Sequence, residues 1–209
     1  MRTRLFVTTA AVAAIATALP AQAATKPKPK PKPVCNVLTD PADDAGPFAG
    51  IAGASTNDPS LDVVSADVAT DATRLTAVIR VKKLTKDAAT TPLSQVGRRW
   101  MLRFTVGSTV VQVATTDGPL DTSYQRGATN GVLDTTTNEI RVTIPLASIP
   151  GVKIVKGSVL QNIDVLTNYF LTFRRSDGIG DGLSAAPADN GKTTKTYVAG
   201  TPSCVKIGQ

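Results

Sequence analysis

The chain contains no histidine among its 209 residues. That absence removes Ser-His-Asp and Cys-His nucleophile activation, imidazole general-base work, the usual His-containing zinc sites and His-ligated haem. Glutamate is reduced to one residue, Glu139, and methionine to Met1 and Met101. Aromatics make up 4% of the chain, with a single Trp, so a broad stacking platform for bases or sugars cannot be assembled. No segment beyond the N-terminus has an apolar run long enough to span a bilayer. No stretch keeps a 3.6-residue period over three turns, and 145–149 offers one helical turn at most.

The first twenty-odd residues have a different character from the rest. Arg2 and Arg4 precede an apolar, alanine-rich run from Leu5 to Leu19, and Ala21-Gln22-Ala23 supplies the small-x-small pattern read by a signal peptidase. Residues 1–23 therefore read as a cleavable secretory signal, and the protein is expected to be secreted, with the cell wall as one location. After cleavage it does not span a membrane. The apolar run is shorter than a spanning helix and lacks stop-transfer charges. Cys35 follows Lys32-Pro33-Val34, not a small-residue lipobox, so no lipid anchor is expected.

Residues 24–34 include four alternating Lys-Pro pairs. Proline fixes φ and the lysines repel, so this spacer should be extended at roughly 3 Å per residue and unable to join a sheet. It serves either as a solvated tail or as an arm that touches anionic wall polymer by charge. Setting aside its four lysines and the two signal arginines leaves 17 basic against 16 acidic residues. The net charge of +7 is thus a property of the N-terminus. A basic face for nucleic acid is not expected, and Arg98, Arg99, Arg103, Arg174 and Arg175 read as a solvated patch on an outer sheet face.

Two cysteines, Cys35 and Cys204, bracket residues 35–209. In an oxidising compartment this arrangement reads as one disulfide closing a single domain end to end.

Within that domain the hydrophobic period is two. Leu75, Ala77, Ile79 and Val81 share a parity, as do Trp100, Leu102, Phe104 and Val106. Gly107-Ser108 turns the latter into Val111 and Val113, which predicts a hairpin. Ile140, Val142 and Ile144 form another alternating strand, stopped by Pro145. Ile163, Val165, Tyr169, Leu171 and Phe173 mark a longer central strand, and 195–198 a short last one. The fold class is therefore all-β: an antiparallel β-sandwich, immunoglobulin-like or jelly-roll, with little helix. Trp100 is expected in its core.

Three acidic, turn-rich stretches stand out: 40–46, with Asp40, Asp43 and Asp44; 57–62, ending in Asp62; and 177–182, with Asp177 and Asp181, followed by Asp189-Asn190. Hard cations such as calcium take carboxylate and carbonyl oxygens from tight loops of this composition. Asp40, Asp43, Asp44, Asp177 and Asp181 are the candidate ligands for one structural calcium, although Asp, Asn, Gly and Pro are also what turns are made of. Tyr124, within 121–127, is the candidate exposed aromatic and Arg126 its neighbouring ligand-binding cation.

The run Pro59-Ser60-Leu61-Asp62 followed by a strand, Asp71, and the alternating Leu75 to Val81 resembles the opening of β-sandwich domains in exported actinobacterial proteins. It is more distantly similar to DOMON and family-nine carbohydrate-binding-module sandwiches, over residues 36–150. The resemblance implies a non-catalytic sandwich, with structural calcium in some members and a sugar or haem ligand in others. The haem pattern relies on Met and His, and this chain has only Met101.

The expectation is a non-enzymatic secreted module that binds a cell-envelope glycan or an extracellular protein. Two alternatives stand beside it: a hydrolase or hydrolase accessory using Asp62, Asp67 or the Asp177/Asp181 pair, and a structural or inhibitory surface protein.

Overall fold

Strands emerge wherever apolar side chains alternate, and their pairing produces two antiparallel sheets. The computed structural model describes residues 32–46, 58–85, 90–91, 94–117, 131–174 and 181–207, with the backbone alone for 90–91, 94–96, 170–174 and 181–187. The expected signal segment 1–23, the spacer up to residue 31, Tyr124, Arg126, Arg175 and Asp177 lie outside the described residues, as do the side chains of Leu171, Phe173, Arg174 and Asp181.

In chain order the strands are β1 (Leu38–Thr39), β2 (Val63–Thr70), β3 (Arg74–Val81), β4 (Thr90–Thr91), β5 (Ser94–Val106), β6 (Thr109–Asp117), β7 (Val132–Asp134), β8 (Glu139–Pro145), β9 (Val159–Arg174), β10 (Asp181–Lys192) and β11 (Tyr197–Val198). One sheet has the order β1-β2-β3-β8-β7. The other runs β10-β9-β5-β4, with β11 also on β9 and β6 also on β5. A 3-10 turn, Leu146–Ser148, follows Pro145.

The inner faces follow the period of two. Ala66, Val68, Leu75, Ala77, Ile79, Ile140 and Val142 from the first sheet meet Trp100, Leu102, Phe104, Val113, Leu160, Ile163 and Val165 from the second, all buried. Each Leu, Ile or Phe placed there contributes about 1.5–3 kcal/mol relative to leaving it in water. Trp100 lies in this core, fully buried. Arg98 shares its parity and goes with it, at 2% exposed. The solvated patch expected of Arg98, Arg99 and Arg103 is thereby corrected. Arg98 points inward, burial pulls the Arg99 guanidinium below its usual pKa, and Arg103 is paired with Asp164.

The predicted strands at 75–81, 100–106, 140–144 and 163–173 all form, and Gly107 adopts φ +60° in the predicted tight turn. β10 departs from expectation. Its sequence is poor in β-branched and aromatic residues and reads as loop. It pairs with β9 along its length because it lies at a sheet edge, where Pro187 is tolerated at a register shift between Pro187 and Asp189.

The Cys35–Cys204 disulfide forms, with Cα atoms 5.2 Å apart, across a separation of 169 residues. Beside it the Val34 amide donates to the Pro202 carbonyl (2.9 Å) and the Cys204 amide to the Val34 carbonyl (3.2 Å). The C-terminal turn then covers the outer face of the first sheet, where Val205 packs on Ala69 and Val78.

At the same end the fully buried Tyr197 hydroxyl accepts from the Thr70 amide (3.1 Å) and donates to the Thr201 carbonyl (3.0 Å). Tyr197→Phe keeps the ring and leaves the buried Thr70 amide without its acceptor. A loss of about 1–3 kcal/mol is expected in urea denaturation, and an unchanged midpoint would contradict this account.

Candidate acidic site at the loop pole

The sandwich has two unlike ends. At one, β2 ends at Thr70, β3 begins at Arg74, and the chain enters at Lys32–Val34 beside the disulfide. At the other, β3, β6 and β9 end while β2, β5 and β10 begin. The segments 47–57, 86–89 and 118–130 are flanked by described residues at this second end, the loop pole, while 175–180 is flanked by Arg174 and Asp181, about 25 Å further along β10 than Asp189. For 118–130 the flanking residues are Asp117, paired with Arg98, and Gly131, whose amide donates to the Thr115 hydroxyl (3.0 Å).

Beneath the loop pole the inter-sheet space is polar, not greasy. The Trp100 indole N–H donates to the Ser60 carbonyl (2.8 Å), and the Arg98 guanidinium lies 5.5 Å from the Trp100 ring centroid. Arg98 also donates to the Thr85 hydroxyl and pairs with Asp117. The Thr167 hydroxyl donates to the Leu61 carbonyl (2.7 Å), which holds 58–62 against β9. Burial and the neighbouring Asp58 carboxylate push the Tyr169 phenol well above its usual pKa.

Three segments deliver carboxylates to the rim of this layer. β1 continues past Thr39 because the Asp40 amide donates to the Val64 carbonyl (3.0 Å), which brings in Asp40. Asp43 takes a left-handed φ of 76°, a conformation Asp tolerates, and turns the chain so that its amide donates to Asp62 Oδ2 (2.8 Å). The Gly46 amide then donates to the Ala188 carbonyl (2.6 Å), stapling the loop to β10. The β10 register shift re-aims Asp189, whose Oδ2 accepts from the Val63 amide (2.7 Å) and Oδ1 from the Asn190 amide (2.6 Å).

Asp40, Asp44 and Asp189 each place a carboxylate oxygen within 4.8 Å of the others. Asp62 is fully buried beside them. The crowding is visible in the protonation equilibria. Burial first, and then the Asp189, Asp44 and Asp62 carboxylates, push Asp40 up to about 6. Burial raises Asp189 as well, together with Asp44 and Asp62, against the two amide donors that favour its charge. Among the described residues no lysine or arginine pairs with any of these four; Lys82 is taken by Asp43.

Of the five residues expected to hold a metal, then, the structure brings together Asp40 and Asp44. Asp43 is nearby but turned toward Lys82. Asp181 is the first residue of β10, opposite Arg174, eight positions before Asp189. At about 3.3 Å per residue this is on the order of 25 Å along the strand, too far for a shared ion. Asp177 lies outside the described residues. The members that were not assigned to the metal set, Asp62 and Asp189, sit in stretches already marked as acidic, so composition was signal enough to find them and not enough to join them.

Among the described residues, two of the carboxylates considered for hydrolysis, Asp62 and Asp67, do not converge on a cleft. Asp62 is enclosed between the sheets. Asp67, 1% exposed, is engaged by the Val37 amide (3.3 Å) and the Arg80 guanidinium (2.7 Å), which also meets Glu139.

No family model matches this sequence, and a search of curated proteins finds no match.

Proposed function

We propose that the chain is a secreted, non-catalytic β-sandwich module that binds a glycan or an extracellular protein at or outside the cell envelope through the loops of one pole. The observation that carries this reading is the polarity of the sandwich. The described residues that flank the segment bearing Tyr124 and Arg126, Asp117 and Gly131, lie at the end opposite the chain entry and the disulfide. A rigid two-sheet scaffold with loops gathered at one end is the arrangement by which sandwiches present binding residues. The disulfide fits an oxidising compartment, and no described helix is long and apolar enough to cross a membrane. Val34 enters the domain beside the disulfide, so the Lys-Pro stretch before it joins at the end opposite the loop pole.

The test is retention of purified residues 24–209 on isolated cell-wall glycan and, separately, on culture-supernatant proteins. Tyr and Arg dominate binding hot spots, so Tyr124→Ala and Arg126→Ala are each expected to weaken retention tenfold or more with an unchanged melting curve. Lys153→Ala, near the opposite pole, should leave it intact. Retention indifferent to both loop variants would end this reading. Turnover of the glycan, lost on substituting one Asp, would favour the hydrolase alternative.

A further inference from the structure

We propose that Asp40, Asp44, Asp62 and Asp189 form a calcium site that ties β1, the start of β2 and β10 together at the loop pole. This goes beyond the binding reading above and stands or falls independently of which ligand the loops take. Asp40, Asp44 and Asp189 bring carboxylate oxygens within 4.8 Å of one another, with the fully buried Asp62 acting on two of them, and among the described residues none of the four is paired with a cationic side chain. Folding brings them there at a cost unless something positive completes the set.

Two observations beyond the clustering point to an ion. Asp62 is fully buried, its Oδ2 satisfied by the Asp43 amide, and its Oδ1 has no hydrogen-bond partner. Asp62 is tied to both sides of the cluster, since its Oδ2 accepts from Asp43, beside Asp44, and the next residue, Val63, donates its amide to Asp189, and its charge raises both Asp40 and Asp189. Asp40 Oδ2 is likewise buried and without a partner. Unsatisfied buried carboxylate oxygens are rare because each forfeits its hydration without a replacement, and a bound cation is one of the few species that satisfies several at once. Gly191 keeps the space in which Asp40 sits: a Cβ there would come within 2.9 Å of Asp40 Oδ2.

The donors also select the ion. All are carboxylate oxygens, which suit hard cations and not zinc or copper. Two oxygens bound to one calcium at about 2.3–2.6 Å cannot be more than about 5.2 Å apart. The spread of 4.8 Å among Asp40, Asp44 and Asp189 satisfies that limit. Magnesium demands near-ideal octahedral geometry and sheds its waters reluctantly, whereas calcium accepts irregular sets drawn from several loops.

The experiment uses residues 24–209, stripped with chelator and titrated calorimetrically with CaCl2 and with MgCl2, alongside melting curves in each. One calcium per chain is expected, with a melting temperature that climbs as calcium is added. Asp40→Asn and Asp189→Asn should each weaken calcium binding at least tenfold. Asp40→Asn removes a like charge from the cluster and should remain folded in chelator, so a lost calcium response cannot be mistaken for unfolding. Asp134→Asn, in the β7–β8 turn, should bind calcium as wild type does. A folded wild type that takes up no calcium, calcium affinity unchanged in both cluster variants, or an equal response to magnesium would each overturn the assignment.

Discussion

Replacing Cys35 and Cys204 together by serine is expected to lower the unfolding free energy by about 2–5 kcal/mol, the range found when a native disulfide is removed. The loop it closes spans 169 residues, so the unfolded chain gains most of its end-to-end freedom when the bridge is absent. The native state loses an anchor as well. β1 is only two residues long, yet it carries the fully buried Leu38 and leads into Asp40, and just before it Val37 is 1% exposed. Without the bridge this segment is held by the Leu38–Ala66 pairing, the Val37 contact with Asp67 and the hydrogen bonds between Val34 and 202–204. Urea denaturation monitored by Trp100 fluorescence measures the effect, and the slope should rise as the unfolded state expands. A serine pair within about 0.5 kcal/mol of wild type would mean that hydrogen bonds and packing alone hold the termini, contrary to the loop-entropy estimate.

That closure was legible in the sequence because the expectation needs only a count of cysteines and an N-terminal segment that reads as an export signal. The central strands were legible for a similarly local reason. Alternation at 75–81, 100–106 and 140–144 is a property of each segment alone; burial alternates with it at 140–144, while Thr76, Val78 and Met101 on the opposite parity are buried as well. Arg98 was missed although its parity with Trp100 was plain, since a charged side chain on a core position is read as solvated unless its partners are known. Those partners, Thr85 and Asp117, lie 13 and 19 residues away. β10 was missed because an edge strand draws its stability from its neighbour and can be built from Gly, Ala, Pro and Asn.

The acidic site shows the same division. Asp40 and Asp44 could be proposed as partners because they share a loop. The Val63 amide and Asp189 carboxylate are joined across 126 residues. No pattern in either segment announces the other, and only the meeting of β1, β2 and β10 makes them one site. The turn residues at 177–182 carried the stronger local signal, an Asp pair separated by glycines. Asp181 nevertheless lies apart from the Asp40, Asp44 and Asp189 cluster, because a strand places residues by distance along its axis and not by composition.

The second large effect is expected at Trp100, whose substitution by alanine should cost about 3–5 kcal/mol. The residue is fully buried, donates its indole N–H to the Ser60 carbonyl at 2.8 Å and lies under the Arg98 guanidinium. Alanine therefore leaves a cavity between the sheets, an unpaired carbonyl and a buried cation stripped of one neighbour. Trp100→Phe separates these contributions. It retains most of the apolar volume, loses the bond to Ser60, and should cost roughly 1–3 kcal/mol. The consequence reaches the loop pole, because Ser60 is two residues before Asp62 and its hydroxyl bonds the Lys83 carbonyl (3.0 Å) and the Thr85 amide (3.1 Å). Loosening 58–62 displaces the fully buried Asp62 beside the acidic cluster, so, on the calcium site proposed above, the phenylalanine variant should bind the ion more weakly while remaining folded. Equal stability losses for the alanine and phenylalanine variants would show that the hydrogen bond to Ser60, and not the filled volume, is what Trp100 provides.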